Sequence, residues 1–125
     1  MGSTVSANLV NVLHTTGPSL TASAACAGGN YNIAIAASWI ETGMVDAAIA
    51  GGVEVKDPHF FAGFDSMRAY NGQDNDRPDR ASRPYARDRA GFVFSEGAGI
   101  LILESREIRS RRTFSLVVAE IGDSA

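Results

Sequence analysis

The chain has 125 residues, 45% of them apolar, with 11 Lys and Arg against 14 Asp and Glu for a net charge of −3. Such a composition fits one soluble globular domain or less and gives no footing for nucleic-acid binding. The apolar runs break well before the roughly 18 residues a membrane span needs, so no membrane partner is expected either. A single cysteine, Cys26, excludes an internal disulfide and points to a reducing compartment. With no positively charged leader at the N-terminus, the expected location is cytoplasmic.

Charge is distributed unevenly. Met1 to Ile40 carry no Asp, Glu, Lys or Arg, whereas all ten arginines lie between Arg68 and Arg112. Charged side chains resist burial and normally decorate every exposed element. An uncharged stretch of forty residues is therefore expected to be covered on most sides, by the rest of this chain or by another.

In chain order, Ser3 or Thr4 offers an N-cap, Val5, Leu9, Val12 and Leu13 follow at helical spacing, and Gly17 offers a stop with His14 close to the helix end. Residues 18–25, "PSLTASAA", read as a strand covered on both faces. From Ala27 to Glu41, Ile33, Ala37, Ile40 and Met44 repeat at helical intervals, and Gly43 supplies the position after the helix end. Residues 45–55 read as a second buried strand in which Gly51 and Gly52 admit close backbone approach. Strand, helix and strand would form a right-handed βαβ unit with parallel strands.

Residues 56–70 suggest a short aromatic helix or lid. Residues 71–91 interleave Arg77, Arg80, Arg83, Arg87 and Arg89 with Asp74, Asp76, Asp79 and Asp88, an ordered, self-paired loop or an interaction surface. Residues 92–104 read as strand, bend at Gly97 to Gly99, and strand; a short basic helix and a last strand over 114–122 follow. Tyr31 and Trp39 are expected to pack.

Cys26 then lies where a strand gives way to a helix, the junction at which open α/β sheets place their chemistry. Amides and the helix dipole there would favour thiolate over thiol, and the same amides could hold an oxyanion. Ala24, Ala25, Ala27, Gly28 and Gly29 leave room for a substrate, and thiols suit acyl transfer. The competing reading is a small buried side chain, since free cysteine is among the most buried residue types. Pairing of Cys26 with His14 or His59, as in a cysteine hydrolase, stays open on spacing. Zinc-ligand spacing, a G-x-S-x-G elbow and phosphate-loop motifs are all missing, and no cofactor or metal is expected.

The segments "VSANLVNV", "SAACAGG", "AGGVE", "FDSMRA", "ASRPYARDRAGFVFSEGAGILILE" and "AEIG" run in the order found in β-ketoacyl-acyl carrier protein synthases, which the chain resembles from Ser3 to Ala125. That resemblance implies an α/β, thiolase-like fold, present as a partial N-terminal half with a mixed sheet and a buried central helix after the nucleophile. It implies a decarboxylative Claisen condensation in fatty acid or polyketide synthesis. Cys26 would accept the acyl chain and lend an oxyanion amide, Phe64 would line the acyl pocket, and Arg68 would touch the acidic carrier protein. The implied partners are acyl- and malonyl-loaded acyl carrier protein and a second ketosynthase chain, in a homodimer or heterodimer.

The family's two catalytic histidines, its lysine and acid, and its second oxyanion amide have no match here, and His14 and His59 fall at positions without a family role. Ala86 and Ala90 stand where many members carry aspartate. Residues 1–125 are thus expected to be a middle slice of a synthase domain. The alternative is a non-catalytic, ketosynthase-like remnant or assembly partner.

Overall fold

Residues 3–111 are described, from a computed structural model. Contacts divide the chain into two units, one of residues up to Gly52 and from Gly99 onward, the other Val53–Ala98. The first unit opens with α1, Thr4–Leu13, preceded by Ser3 and ended by His14 at φ 52. The left-handed turn expected at Gly17 is thus taken three residues earlier, by histidine.

The second helix, α2, spans Gly28–Glu41. At its end the Gly43 N–H donates to the Ile40 carbonyl and the Met44 N–H to that of Trp39, with Gly43 at φ 72. This paired closure is the one glycine permits after a helix. Strand β1, Ala47–Glu54, pairs with β2, Gly97–Glu104, in a two-stranded sheet. The Ser105 N–H, just past β2, donates to the Asp46 carbonyl just before β1, while Gly51 lies against Gly99. The ladder therefore runs antiparallel.

Here the structure corrects three expectations. Residues 18–25 form no strand, only irregular chain with single-residue bridges at Ala24 and Cys26, so the parallel βαβ unit is not present among the described residues. Among the described residues no neighbouring strand offers this segment a ladder; its Ala22 N–H donates instead to the Asn32 side chain. Gly97 and Gly99 lie inside β2, not in a bend, and Phe92 contributes only an isolated bridge with Tyr70. Tyr31 does not pack; it is exposed. The strand expected over 114–122 lies outside the described residues.

Burial is thin. Ala36, Ala50 and Ala81 are the buried apolar residues among those described, and α2 is half-buried around Ala36. Val12, Leu20, Met44 and Ile102 are exposed. The described chain therefore does not itself cover the surface that the lack of charge led us to expect covered.

The second unit is organised by aromatic side chains. α3, Pro58–Ser66, starts with Asp57 accepting from the His59 N–H at 2.8 Å and Pro58 in its first turn, where the missing N–H costs nothing. Phe94 lies at the centre of a ring cluster: its centroid is 4.7 Å from that of Phe64, 5.4 Å from Phe61 and 5.8 Å from both Phe60 and Tyr70. Lys56 and Glu96 close the unit's two chain ends with an ion pair at 3.5 Å.

The long loop, as expected, pairs its own charges, and does so around a buried polar centre. Asn71 and Asp74 are 4% and 5% exposed. The Asn71 Nδ2 donates to Asp74 Oδ2 at 3.0 Å and to the Ala81 carbonyl at 3.1 Å. Arg83 donates to the same Asp74 oxygen at 3.0 Å and to the Arg80 and Asp88 carbonyls. These donors, the Asn71 amide first and Arg83 after it, hold the Asp74 carboxyl below its ordinary value, against the opposing pull of burial. A depressed native value means stabilisation that is complete above the unfolded carboxylate value of about 3.9 and is lost as pH falls through the lower native one. Urea midpoints are therefore expected to hold from pH 7 to about 5 and to drop below about 4. Asp74→Asn should lower the pH 7 midpoint and flatten that acid limb; an unchanged acid limb in the variant would contradict the assignment.

Candidate active site

Cys26 is solvent-exposed, two residues before the first residue of α2. The turn that presents it is tight. The Ala27 N–H donates to the Ala24 carbonyl and the Gly28 N–H to the Ala25 carbonyl, each at 3.0 Å. Ala25 takes φ 47, the left-handed region that a Cβ disfavours by about 1–2 kcal/mol. A sharp, mildly strained elbow thus lifts the thiol out of the chain path at the positive end of α2, where partial positive charge favours an anion. The amides of Ala27 and Gly28 are committed to the elbow itself, so an oxyanion would draw on the others there.

Two features hold the elbow in place. Asn32, one turn into α2, accepts from the Ala22 N–H at 3.3 Å and donates to the Gly51 carbonyl at 3.1 Å. One side chain thus ties the segment leading into Cys26 to β1. Sequence reasoning passed over Asn32, although its place four residues before the buried Ala36 puts a polar group on the covered face of the helix. The second feature is a glycine contact: a Cβ built on Gly52 would lie 3.3 Å from the Gly29 Cα. The tight side of this contact is Gly52, since a Cβ on Gly29 would meet Gly52 at an ordinary 3.7 Å.

Phe64, expected at an acyl pocket, lies in the second unit, half-buried with ring contacts to Phe60, Phe92 and Phe94. Arg68, also in that unit, is exposed and sits at φ 55. Its N–H donates to the Asp65 carbonyl and that of Ala69 to the Phe64 carbonyl, closing α3 as Gly43 closes α2. Glycine is the usual occupant of such a position; here a long cationic side chain is kept at some conformational cost. His14 lies in the first unit and His59 in the second, paired with Asp57 at 2.9 Å and almost wholly exposed. Among the described residues, no group of three His, Cys, Asp or Glu could hold a metal, and no helix is long and apolar enough to cross a membrane.

Known proteins resemble this chain in sequence and in fold. The chain is 41% identical over 107 residues to the 3-oxoacyl-(acyl-carrier-protein) synthase 2 of Vibrio cholerae, covering 85% of this chain and 26% of that protein. It is 43% identical over 107 residues to the chloroplastic 3-oxoacyl-(acyl-carrier-protein) synthase I of Arabidopsis thaliana, at 85% and 22% coverage. The crystal structure of a β-ketoacyl synthase from Burkholderia phymatum superposes with a TM-score of 0.81 at 32% identity, over 86% of this chain and 26% of that one. The ishigamide ketosynthase/chain length factor does so with 0.77 at 32% identity, over 90% and 27%. The chain thus spans about a quarter of the length of these relatives. The model of the β-ketoacyl synthase N-terminal domain matches residues 1–108. With an exposed cysteine on an elbow ahead of a helix and that match along most of its length, the chain belongs to the β-ketoacyl synthase family, within its N-terminal domain.

Proposed function

We propose that Cys26 is the acyl-accepting nucleophile of a β-ketoacyl-acyl carrier protein synthase acting in fatty acid or polyketide synthesis. The Cys26 sulfur attacks the carbonyl carbon of an acyl thioester, the carrier's pantetheine thiol leaves and takes up a proton, and an acyl-cysteine remains. A carbanion released by decarboxylation of a malonyl thioester then attacks that acyl-cysteine, giving the β-ketoacyl product and freeing the Cys26 thiol. The observation that carries the reading is the position of an exposed thiol at the head of α2.

Phe64 is read as part of the acyl pocket and Arg68 as a contact for the acidic carrier protein. The strained backbone at Arg68 supports the second assignment, since strain is retained where a side chain is used. A dimer with a second ketosynthase chain is supported by exposed Val12, Leu20 and Tyr31 in a region without charge. The setting is taken as cytoplasmic.

Intact-mass measurement after mixing the chain with an acyl-carrier thioester or an acyl-pantetheine should show one acyl adduct, mapped to Cys26. No β-ketoacyl product is expected from these 125 residues alone, because the family's histidine motifs have no counterpart in them. An unmodified thiol in protein shown to be folded would overturn the assignment.

A further inference from the structure

We propose that Asn32 is a positioning residue for acyl transfer, one that holds the Cys26 elbow still while the surrounding amides meet the oxyanion; the inference rests on the reading of Cys26 as the nucleophile. The head of α2 carries two conflicting demands. A helix is usually fastened at this end by a Ser, Thr, Asp or Asn side chain that accepts from its first-turn amides. In α2 that place is taken by Ala27, and there is no side-chain cap bond. A cap would occupy donors of the kind an oxyanion needs. The elbow must therefore be held from elsewhere, and against strain, since Ala25 sits at φ 47.

Asn32 does so from one turn further along. Its Oδ1 accepts from the Ala22 N–H at 3.3 Å, ten residues back in sequence, so Cys26 lies inside a loop closed by that bond. Its Nδ2 donates to the Gly51 carbonyl at 3.1 Å, which fixes the loop to β1. Ala22 in turn lies over the start of the helix, because a Cβ built on Gly28 would stand 3.9 Å from the Ala22 carbonyl oxygen. The task needs an acceptor and a donor on one short, rigid side chain. Asparagine has both, whereas an ionised aspartate offers acceptors only. The neighbouring bond between Ser6 Oγ and Thr21 Oγ1, at 2.9 Å, is exposed and joins this segment to α1 alone. Water can replace such a bond at little cost, so it does not set the elbow.

Two reactions of the thiol and one probe of the backbone test this on the wild-type chain, Asn32→Ala, Asn32→Asp and Ser6→Ala. Cys26 is acylated by an acyl-pantetheine thioester and, separately, alkylated by iodoacetamide, which needs an exposed thiolate but builds no oxyanion. Amide exchange is followed at Ala27 and Gly28, whose N–H groups close the elbow. Asn32→Ala should slow acylation about tenfold to a hundredfold, the scale on which a displaced reacting group acts. It should leave alkylation near wild type and speed exchange at both amides. Asn32→Asp keeps the shape and the acceptor for Ala22 but turns an oxygen towards the Gly51 carbonyl; it should fold and still slow acylation several-fold. Ser6→Ala should be acylated as wild type. Wild-type acylation in folded Asn32→Ala or Asn32→Asp, equal slowing of acylation and alkylation, or unchanged exchange at Ala27 and Gly28 would overturn the proposal. A wild-type chain that takes up no acyl group would overturn the nucleophile reading instead, and the exchange data would still decide whether Asn32 holds the elbow.

Discussion

Replacing Cys26 by alanine should abolish acyl uptake and lower any condensation by the polypeptide that carries this chain by about 10⁴-fold or more, the scale on which removal of a covalent nucleophile acts. That loss corresponds to about 5 kcal/mol of transition-state stabilisation. The stability of the chain should scarcely move. Cys26 is exposed, and surface substitutions outside special features usually stay within about 0.5 kcal/mol. Cys26→Ser provides the sharper comparison. It keeps the shape of the elbow but replaces a thiol with a hydroxyl that is hardly ionised at neutral pH, so acylation should persist only in trace. Thermal unfolding and acyl incorporation, measured on the same preparations, check both halves. An alanine variant that still carries an acyl group would show that another residue is the acceptor.

What could be read from the sequence depended on how local each signal was. α1 and α2 are marked by the spacing of their apolar residues, without a side-chain cap bond, and α3 and the short helix Arg106–Ser110 by caps, Asp57 accepting from the His59 N–H and Ser105 from the Ile108 N–H. The paired charges of the long loop were equally visible, because alternating Arg and Asp state their own partners. Residues 18–25 were misread for the opposite reason. A strand exists only where a neighbour supplies a ladder, and an apolar, β-compatible segment says nothing about whether its neighbour lies in the same chain. The bend expected at Gly97 to Gly99 failed likewise: those glycines serve β1, which is far away in sequence.

The candidate site divides along the same line. Cys26 stood out as the only thiol at a helix start. Ala25, whose backbone bends the elbow, and Asn32, which ties it down, carry no chemistry that would mark them. Asn71 and Phe94 were missed because each is ordinary by type and central only through its contacts. Motif reading finds the atom that reacts, whereas the residues that hold it become visible in three dimensions.

Gly51→Ala should be strongly destabilising, though it adds only one methyl group. A Cβ at Gly51 would lie 2.0 Å from the Gly99 carbonyl oxygen and 3.0 Å from the Ile100 Cα, where carbon and oxygen normally keep about 3.3 Å apart. Both atoms belong to backbone, so no side chain can swing aside; β1 and β2 must separate by roughly 1 Å, beyond the range in which their ladder bonds hold. Overpacking of this kind costs about 3 kcal/mol or more, and for a chain of this size the melting temperature should fall by roughly 10–20 °C. Gly97→Ala is the control, since nothing lies within 4 Å of its added Cβ; it should remain within about 0.5 kcal/mol of wild type. The effect should also reach the thiol. The Gly51 carbonyl accepts from Asn32, and Asn32 in turn holds Ala22 in the segment leading to Cys26. Shifting β1 therefore loosens the elbow, and acylation of Cys26 should slow even where Gly51→Ala remains folded at low temperature. A variant with wild-type melting and wild-type acylation would show that the strands are not locked at this contact and that Asn32 does not carry their position to the nucleophile.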